Sequence, residues 1–171
     1  MTSRYLHPPL HQVDIPHTHG IGEEKGSQIQ MFVRVPDGAS KAKPVPVLMF
    51  IDGLDAYRTD HGPRVTEHVS RGFACVSVEI PGTGDSPAIR NDPKSPERQW
   101  SSVLDWIATQ EQFDSSKVVV RGVSCGGYYA MRIAHTHADR LFAVVAQGGG
   151  SHHMFDERWI RAQNNMEYPY A

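Results

Sequence analysis

The sequence predicts an α/β fold built on a mostly parallel sheet. Val45–Ile51 and Val118–Val120 are near-continuous apolar runs, which are typical of strands covered on both faces. Between them lies an apolar stripe at the i, i+3, i+4, i+7 spacing of a helix face: Trp100, Val103, Leu104 and Ile107. Strands that alternate with helices in this way form βαβ units with right-handed crossovers.

The first elements in chain order are strands. Residues 1–27 are rich in His, Pro and Gly, so we expect a loosely structured approach with one short strand near Gln12–Ile15. Ile29–Val35 alternates apolar and polar residues as a strand does, and Pro36–Gly38 is a turn signal. The buried strand Val45–Ile51 follows and ends at the polar segment that begins with Asp52.

Helices and strands then alternate. We predict a helix over Gly62–Arg71, a strand over Phe73–Ile80, and a second helix whose N-cap is Ser95 and whose first residue is Pro96. The strand Val118–Val120 and its helix come next. Leu141–Ala146 is apolar throughout and is predicted to be another buried strand.

Ser124 lies in the most informative stretch, where a strand turns into a helix. Gly122 precedes it by two residues, and Gly126 and Gly127 follow it. Small neighbours are needed there, because a side chain would collide with the adjacent strand or helix. A serine on such a turn is the nucleophile elbow of the α/β-hydrolases, with its Oγ exposed above the sheet. The helix N-terminus behind it favours developing negative charge.

Composition excludes several classes of function. At 171 residues the chain is long enough for one domain with a real core, and its net charge of −2 does not indicate nucleic-acid binding. No apolar run approaches the roughly 20 residues that a membrane span needs. Cys75 and Cys125 cannot make a disulfide framework. We therefore expect a cytoplasmic protein.

No cofactor or metal is expected. The chain has ten histidines, but they show no His-Glu-x-x-His spacing, and His135 and His137 do not share a helix face. Gly82–Gly84 and Gly148–Gly150 lack the further residues of a dinucleotide or phosphate loop. Both are better interpreted as turns beside a pocket.

The chemistry of an activated serine needs an oxyanion hole, a base and a carboxylate. The backbone N–H of Cys125 is one candidate oxyanion donor, and that of Leu54, after Gly53, is the other. Asp55 and Tyr57 on the same segment are candidate substrate-binding residues. The histidines after Ser124 do not suit the base, because two lie along its own helix and two in a loop: His135, His137, His152 and His153. We expect no complete triad within this chain.

Five segments in order carry a specific resemblance: FIDGLDAYRTD, VEIPGTGDSPA, DPKSPERQWSSVLDWI, RGVSCGGYYAMRIAHTH and VVAQGGGSHHMFDERW. From about Gln12 to the end the chain resembles the fungal yellowish-green pigment hydrolases, serine α/β-hydrolases that shorten a polyketide side chain in melanin-type pathways. It is also similar to bacterial hydrolases of the fermentation-respiration switch type. The resemblance implies that Ser124 is the nucleophile, that Leu54 and Cys125 are oxyanion donors, and that a helical lid begins at Ser151.

The resemblance implies hydrolysis of a carbon–carbon bond in an aromatic polyketide, without nucleic acid or membrane partners and with a homodimer as one possible assembly. A carboxylesterase or thioesterase is the first alternative, and an inactive fragment or pseudoenzyme that acts as a binding module is the second. In the family the triad Asp and His follow the lid. We therefore expect residues 1–150 to be a partial hydrolase core, truncated after the strand that follows the nucleophile helix, residues 151–171 to begin the lid, and this chain to show little turnover by itself.

Overall fold

The computed structural model of the protein describes residues 6–151 and 156–162. In that part of the chain six strands form one sheet: β1 (His11–Pro16), β2 (Gln28–Arg34), β3 (Val45–Ile51), β4 (Ala74–Val78), β5 (Phe113–Val123) and β6 (Ala143–Gln147). Four α-helices accompany them: α1 (Gly62–Ser70), α2 (Ser95–Thr109), α3 (Cys125–Thr136) and α4 (Glu157–Ala162).

The strand order in the sheet is β1-β2-β4-β3-β5-β6. β3 pairs in parallel with both β4 and β5, and β5 pairs in parallel with β6. Only the pairings of β2, with β1 and with β4, are antiparallel within this sheet. The predicted α/β class and the mostly parallel sheet are confirmed. Parallel strands end at one edge, so the segments after β3, β4 and β5 meet there.

Alternate residues of β3 face opposite layers of the fold. Val47, Met49 and Ile51 belong to the larger core, which includes the four apolar residues of α2 that the sequence predicted as its buried stripe. Leu48 and Phe50 belong to a second core beneath α1. The strand is thus buried on both faces, as its continuous apolar run predicted.

The N-terminal segment is more ordered than the sequence predicted. β1 pairs with β2 from residue 11 to residue 16, longer than the predicted strand. Glu24 is fully buried and accepts hydrogen bonds from the backbone N–H of Ile21 and from Nε of Arg98, at 3.2 and 2.5 Å. A buried carboxylate is stable only when it is paired in this way, and the pair anchors residues 21–24 to α2.

Ser95 does not cap α2, which corrects the predicted N-cap by one residue. Lys94 occupies the N-cap position, and Ser95 is the first residue of the helix. The Ser95 hydroxyl instead donates to Glu24 and accepts from the N–H of Ile89 at 2.8 Å. The Ser95 hydroxyl therefore bonds to the buried Glu24, 71 positions earlier, and does not cap its own helix.

β6 departs from the prediction of a buried strand. The side chains of Phe142 and Val145 are 69% and 48% exposed. β6 is the outer strand of the described sheet, so its outer edge pairs with no described strand.

The predicted lid begins at residue 151, and α4 lies within it; residues 152–155 and 163–171 lie outside the described part. Among the helices that the structure describes, none has the length and apolarity of a membrane span.

Candidate active site

Ser124 lies on the turn between β5 and α3, in a backbone conformation that residues other than glycine rarely adopt. Its φ is 54° and its ψ is −121°, and its side chain is exposed. Hydrogen bonds hold the turn: the Ser124 N–H donates to the carbonyl of Gln147, and its carbonyl accepts from the N–H of Gly127, both at 2.8 Å. A strained residue held this firmly is a signature of a functional position.

The glycines around Ser124 are required by close backbone approach. A Cβ on Gly122 would lie 2.0 Å from the carbonyl oxygen of Gly126. A Cβ on Gly126 would lie 2.3 Å from the carbonyl oxygen of Asp52. These distances are far below van der Waals contact, so each position admits only glycine without backbone movement. The elbow is therefore packed directly onto the end of β3.

The segment after β3, residues 52–61, comes next to Ser124. A Cβ on Gly53 would lie 3.2 Å from Cβ of Ser124 and 3.6 Å from its Oγ. The next N–H is that of Leu54, one of the two predicted oxyanion donors, and the other, that of Cys125, begins α3. Within the described residues neither N–H donates to a main-chain carbonyl. Burial raises the pKa of the Cys125 thiol to about 11, so the thiol stays protonated at neutral pH.

The two predicted substrate-binding residues lie on the same segment. Oδ1 of Asp55 is 3.2 Å from the position of a Cβ on Gly53, so the carboxylate and the Ser124 hydroxyl flank that glycine. Tyr57 has a side chain that is 55% exposed, and its N–H donates to Oδ2 of Asp60 at 2.9 Å. Their role in substrate binding stays a prediction.

Sequence reasoning missed an ion cluster that joins this segment to the one after β4. The Arg58 guanidinium donates two hydrogen bonds to Asp85, at 2.6 and 2.7 Å, and one to Oε1 of Glu79, at 3.1 Å. The backbone N–H of Arg58 also donates to that oxygen, at 3.1 Å. The available signal was Glu79 directly after the apolar strand β4, but nothing in the sequence pairs it with Arg58.

Sequence reasoning also missed the contact between Asp52 and His61. Nε2 of His61 lies 2.5 Å from Oδ1 of Asp52, and the Asp52 side chain is only 1% exposed. Burial, and then the neighbouring charge of Glu79, raises the pKa of Asp52 to about 7. An aspartate directly after a buried strand was the available signal, and His61 is nine positions away.

Two of the four histidines that follow Ser124 in the sequence, His135 and His137, lie in the described part of the chain. His135 is exposed late on α3, far along the helix from Ser124. Nε2 of His137 lies 2.9 Å from the Ser101 hydroxyl, just beyond the opposite end of α3 from Ser124. His152 and His153 lie outside the described residues. No group of three metal-ligating side chains converges anywhere in residues 6–151 or 156–162.

A cleft of about 530 Å³ lies between the segment after β4 and α3. Its lining combines apolar and polar groups: Pro81, Ser86, Ile89, Asn91, Tyr129 and Arg132. Tyr129 lies about one helical turn after Cys125 on α3, and Cys125 directly follows Ser124. Such a cleft at the edge where the parallel strands end is the usual place for a ligand in an open α/β sheet.

Comparison with known proteins gives the family context. The profile of the family described as X-Pro dipeptidyl-peptidase (S15 family) matches residues 25–169. The chain is 27% identical over 126 residues to 2,6-dihydropseudooxynicotine hydrolase of Paenarthrobacter nicotinovorans, covering 74% of this chain and 33% of that protein. It is 31% identical over 124 residues to hydrolyase poxO of Penicillium oxalicum, covering 63% and 27%.

A third relative is the esterase FrsA of Salmonella newport, 27% identical over 133 residues, which cover 77% of this chain and 31% of that one. The chain therefore spans about a third of the length of these curated relatives. Among solved structures, 2,6-dihydroxy-pseudo-oxynicotine hydrolase superposes with a TM-score of 0.70 at 25% identity, covering 87% of this chain and 39% of that one. AbyA5 superposes with a TM-score of 0.71 at 24% identity, covering 93% and 41%, and shows likeness of fold alone.

Proposed function

The chain belongs to the X-Pro dipeptidyl-peptidase (S15) family, a family of serine α/β-hydrolases, and from that premise we propose that it carries the nucleophile and oxyanion hole of a serine hydrolase. The observation that carries the proposal is the strained, exposed Ser124 beside Gly53. Strain of about 1–3 kcal/mol persists only where the surroundings enforce it. Here the enforcing contacts are the close backbone approaches at Gly122 and Gly126.

The proposed first step is attack by Oγ of Ser124 on a substrate carbonyl carbon. A base takes the hydroxyl proton as the new C–O bond forms, and the carbonyl oxygen becomes an oxyanion. The N–H groups of Leu54 and Cys125 stabilise that charge, with the N-terminal end of α3 behind them. The leaving group then departs with the electron pair of the broken bond and takes up a proton. Water hydrolyses the acyl-enzyme to a carboxylic acid.

The substrate class that we propose is an aromatic polyketide with a ketone in its side chain. Supporting this are the resemblance to pigment hydrolases and the match to hydrolyase poxO, a fungal protein. The bond broken is then the carbon–carbon bond beside the ketone, and the leaving group is an aromatic enolate. Proline, isoleucine and tyrosine side chains in the cleft are suited to the flat apolar face of such a molecule.

Ester hydrolysis is the second candidate, and the match to esterase FrsA favours it. The same nucleophile and oxyanion donors can cleave a carbon–carbon bond or an ester bond, so the products distinguish the two activities. Carbon–carbon cleavage yields an acid and a shortened aromatic product, whereas ester cleavage yields an acid and an alcohol. A fluorogenic ester panel and an aryl ketone panel, analysed by mass spectrometry, separate the two.

The nucleophile is tested with the whole product of the gene that encodes this chain. We expect Ser124→Ala to lower turnover roughly 10³-fold or more and to abolish labelling by a fluorophosphonate probe. Ser115→Ala is the matched control, because Ser115 is an exposed serine toward the other end of β5. Turnover and labelling that survive Ser124→Ala would show that another residue is the nucleophile. If the wild-type protein shows neither turnover nor labelling by the probe, a binding module is favoured instead.

A further inference from the structure

Asp52 and His61 lie at the two ends of the segment that carries the proposed oxyanion donor. Residues 53–60 leave the end of β3 and return to the start of α1, and the contact of 2.5 Å between the two side chains closes the base of this loop. The His61 side chain is 15% exposed and its ring packs against that of Phe50, with centroids 5.2 Å apart. The base of the loop is therefore a buried polar contact on an apolar floor.

The buried polar atoms at this contact have no other hydrogen-bond partner in the described part of the chain. Within the described residues, both carboxylate oxygens of Asp52 and Nε2 of His61 are buried and form no hydrogen bond of good geometry. Two electronegative atoms approach to 2.5 Å only with a proton between them. An unpartnered buried carboxylate is costly, so this proton determines how the two ends of the loop are held.

We propose that Asp52 and His61 are positioning residues that share a buried proton and thereby set the place of the Leu54 N–H relative to Ser124. The inference rests on the proposed function, since it concerns the oxyanion donor of that reaction. Neither side chain needs to touch substrate. The pair acts through the backbone of the loop whose base it closes.

The path from this pair to the nucleophile is short and rigid. The carbonyl of Asp52 is in tight contact with Gly126, and Gly53 is in contact with Ser124 itself. A shift of the Asp52 backbone therefore moves the next two peptide groups, including the Leu54 N–H, across the face of Ser124. Oxyanion donors act over 2.7–3.1 Å, so a displacement of a few tenths of an ångström is felt in the rate.

Burial and the charges that face the pair place its proton near neutral pH. Burial is the largest effect that raises the pKa of Asp52; Glu79, directly after β4, and Asp60 in the loop raise it further, and Arg64 from α1 lowers it. Burial, and then Arg64, lowers the pKa of His61, while Asp60 and Asp55 oppose that effect. The pair should thus lose a proton near pH 7, where the pKa of Asp52 lies.

An NMR titration tests the pair without requiring any activity. In ¹⁵N-labelled protein the amide signals of Gly53 and Leu54 should shift together with a midpoint near pH 7. Asp52→Asn should abolish that transition, and His61→Gln should displace or abolish it. Asp60→Asn is the control that removes a neighbouring exposed carboxylate and should retain the transition. The proposal is overturned if the transition persists in Asp52→Asn, or if wild type shows no transition between pH 5 and 9.

Kinetics of the whole gene product test the positioning role. We expect Asp52→Ala to lower kcat roughly 10²-fold with KM changed less than about threefold, and the near-isosteric Asp52→Asn to recover most of that loss. An unchanged kcat in Asp52→Ala refutes the positioning role. If Ser124→Ala leaves turnover intact, the proposed nucleophile fails instead, and the amide titration still decides whether Asp52 and His61 share a proton.

Discussion

Replacement of Ser124 by glycine should make the protein more stable, although it removes the proposed nucleophile. The φ of 54° and ψ of −121° at this position are unfavourable for any residue with a Cβ and accessible to glycine. The strain is about 1–3 kcal/mol. Glycine gives back about 0.5–1 kcal/mol through the greater freedom of the unfolded chain. The expected net gain is about 1 kcal/mol, or roughly 2–4 °C in Tm for a chain of this size.

Ser124→Ala is the matched control, because alanine keeps the Cβ and therefore the strain. Urea unfolding followed by circular dichroism should rank Ser124→Gly above wild type, with Ser124→Ala within about 0.5 kcal/mol of wild type. The comparison of the two variants isolates the backbone conformation, since both lack the hydroxyl. If Ser124→Gly is no more stable than Ser124→Ala, the turn is not strained, and backbone strain does not mark this serine as functional.

Three further predictions concern stability. Gly122→Ala should cost roughly 3 kcal/mol or more in urea unfolding because its Cβ would lie 2.0 Å from a backbone oxygen, whereas Gly62→Ala, with nothing within 4 Å, should stay within about 0.5 kcal/mol. The folded protein keeps the Asp52 proton up to about pH 7, whereas the unfolded chain loses it at about pH 4. The free energy of unfolding of wild type should therefore fall by up to about 4 kcal/mol relative to that of Asp52→Asn between pH 4 and 8. Parallel pH profiles of the two proteins would contradict this. Arg58→Ala should cost about 3 kcal/mol because it leaves the buried carboxylate of Glu79 without its positively charged partner, and adding Glu79→Gln should restore part of that loss. A double-mutant cycle without coupling would show that the pair is not important for stability.

The elbow illustrates what local sequence can predict. A strand needs only a short apolar run, and a strand-to-helix turn needs only small residues at fixed offsets, so both are encoded within about ten positions. Val118–Val120, Gly122 and Gly126 therefore predicted a parallel strand and a tight turn that the structure places at β5 and α3. The roles of Ser124, Leu54 and Cys125 remain predictions, because geometry alone does not measure reactivity.

Partners that are distant in sequence were beyond such reasoning. Glu24 binds Ser95 across 71 positions, and Arg58 binds Glu79 across 21. Each of these side chains is polar, and polarity alone predicts exposure. Burial became acceptable only because the chain brought a matching partner to the same place, which no local pattern records.

By itself the sequence determined the class of fold, the order of its elements and the turn that presents Ser124, because periodicity and glycine placement act over a few residues. Only the tertiary structure decided that Asp52 meets His61 at the base of the loop, and that β6 lies at the open edge of the described sheet. The reason is physical: a strand's own residues set its propensity, but its burial and its charged contacts depend on which other segments fold against it.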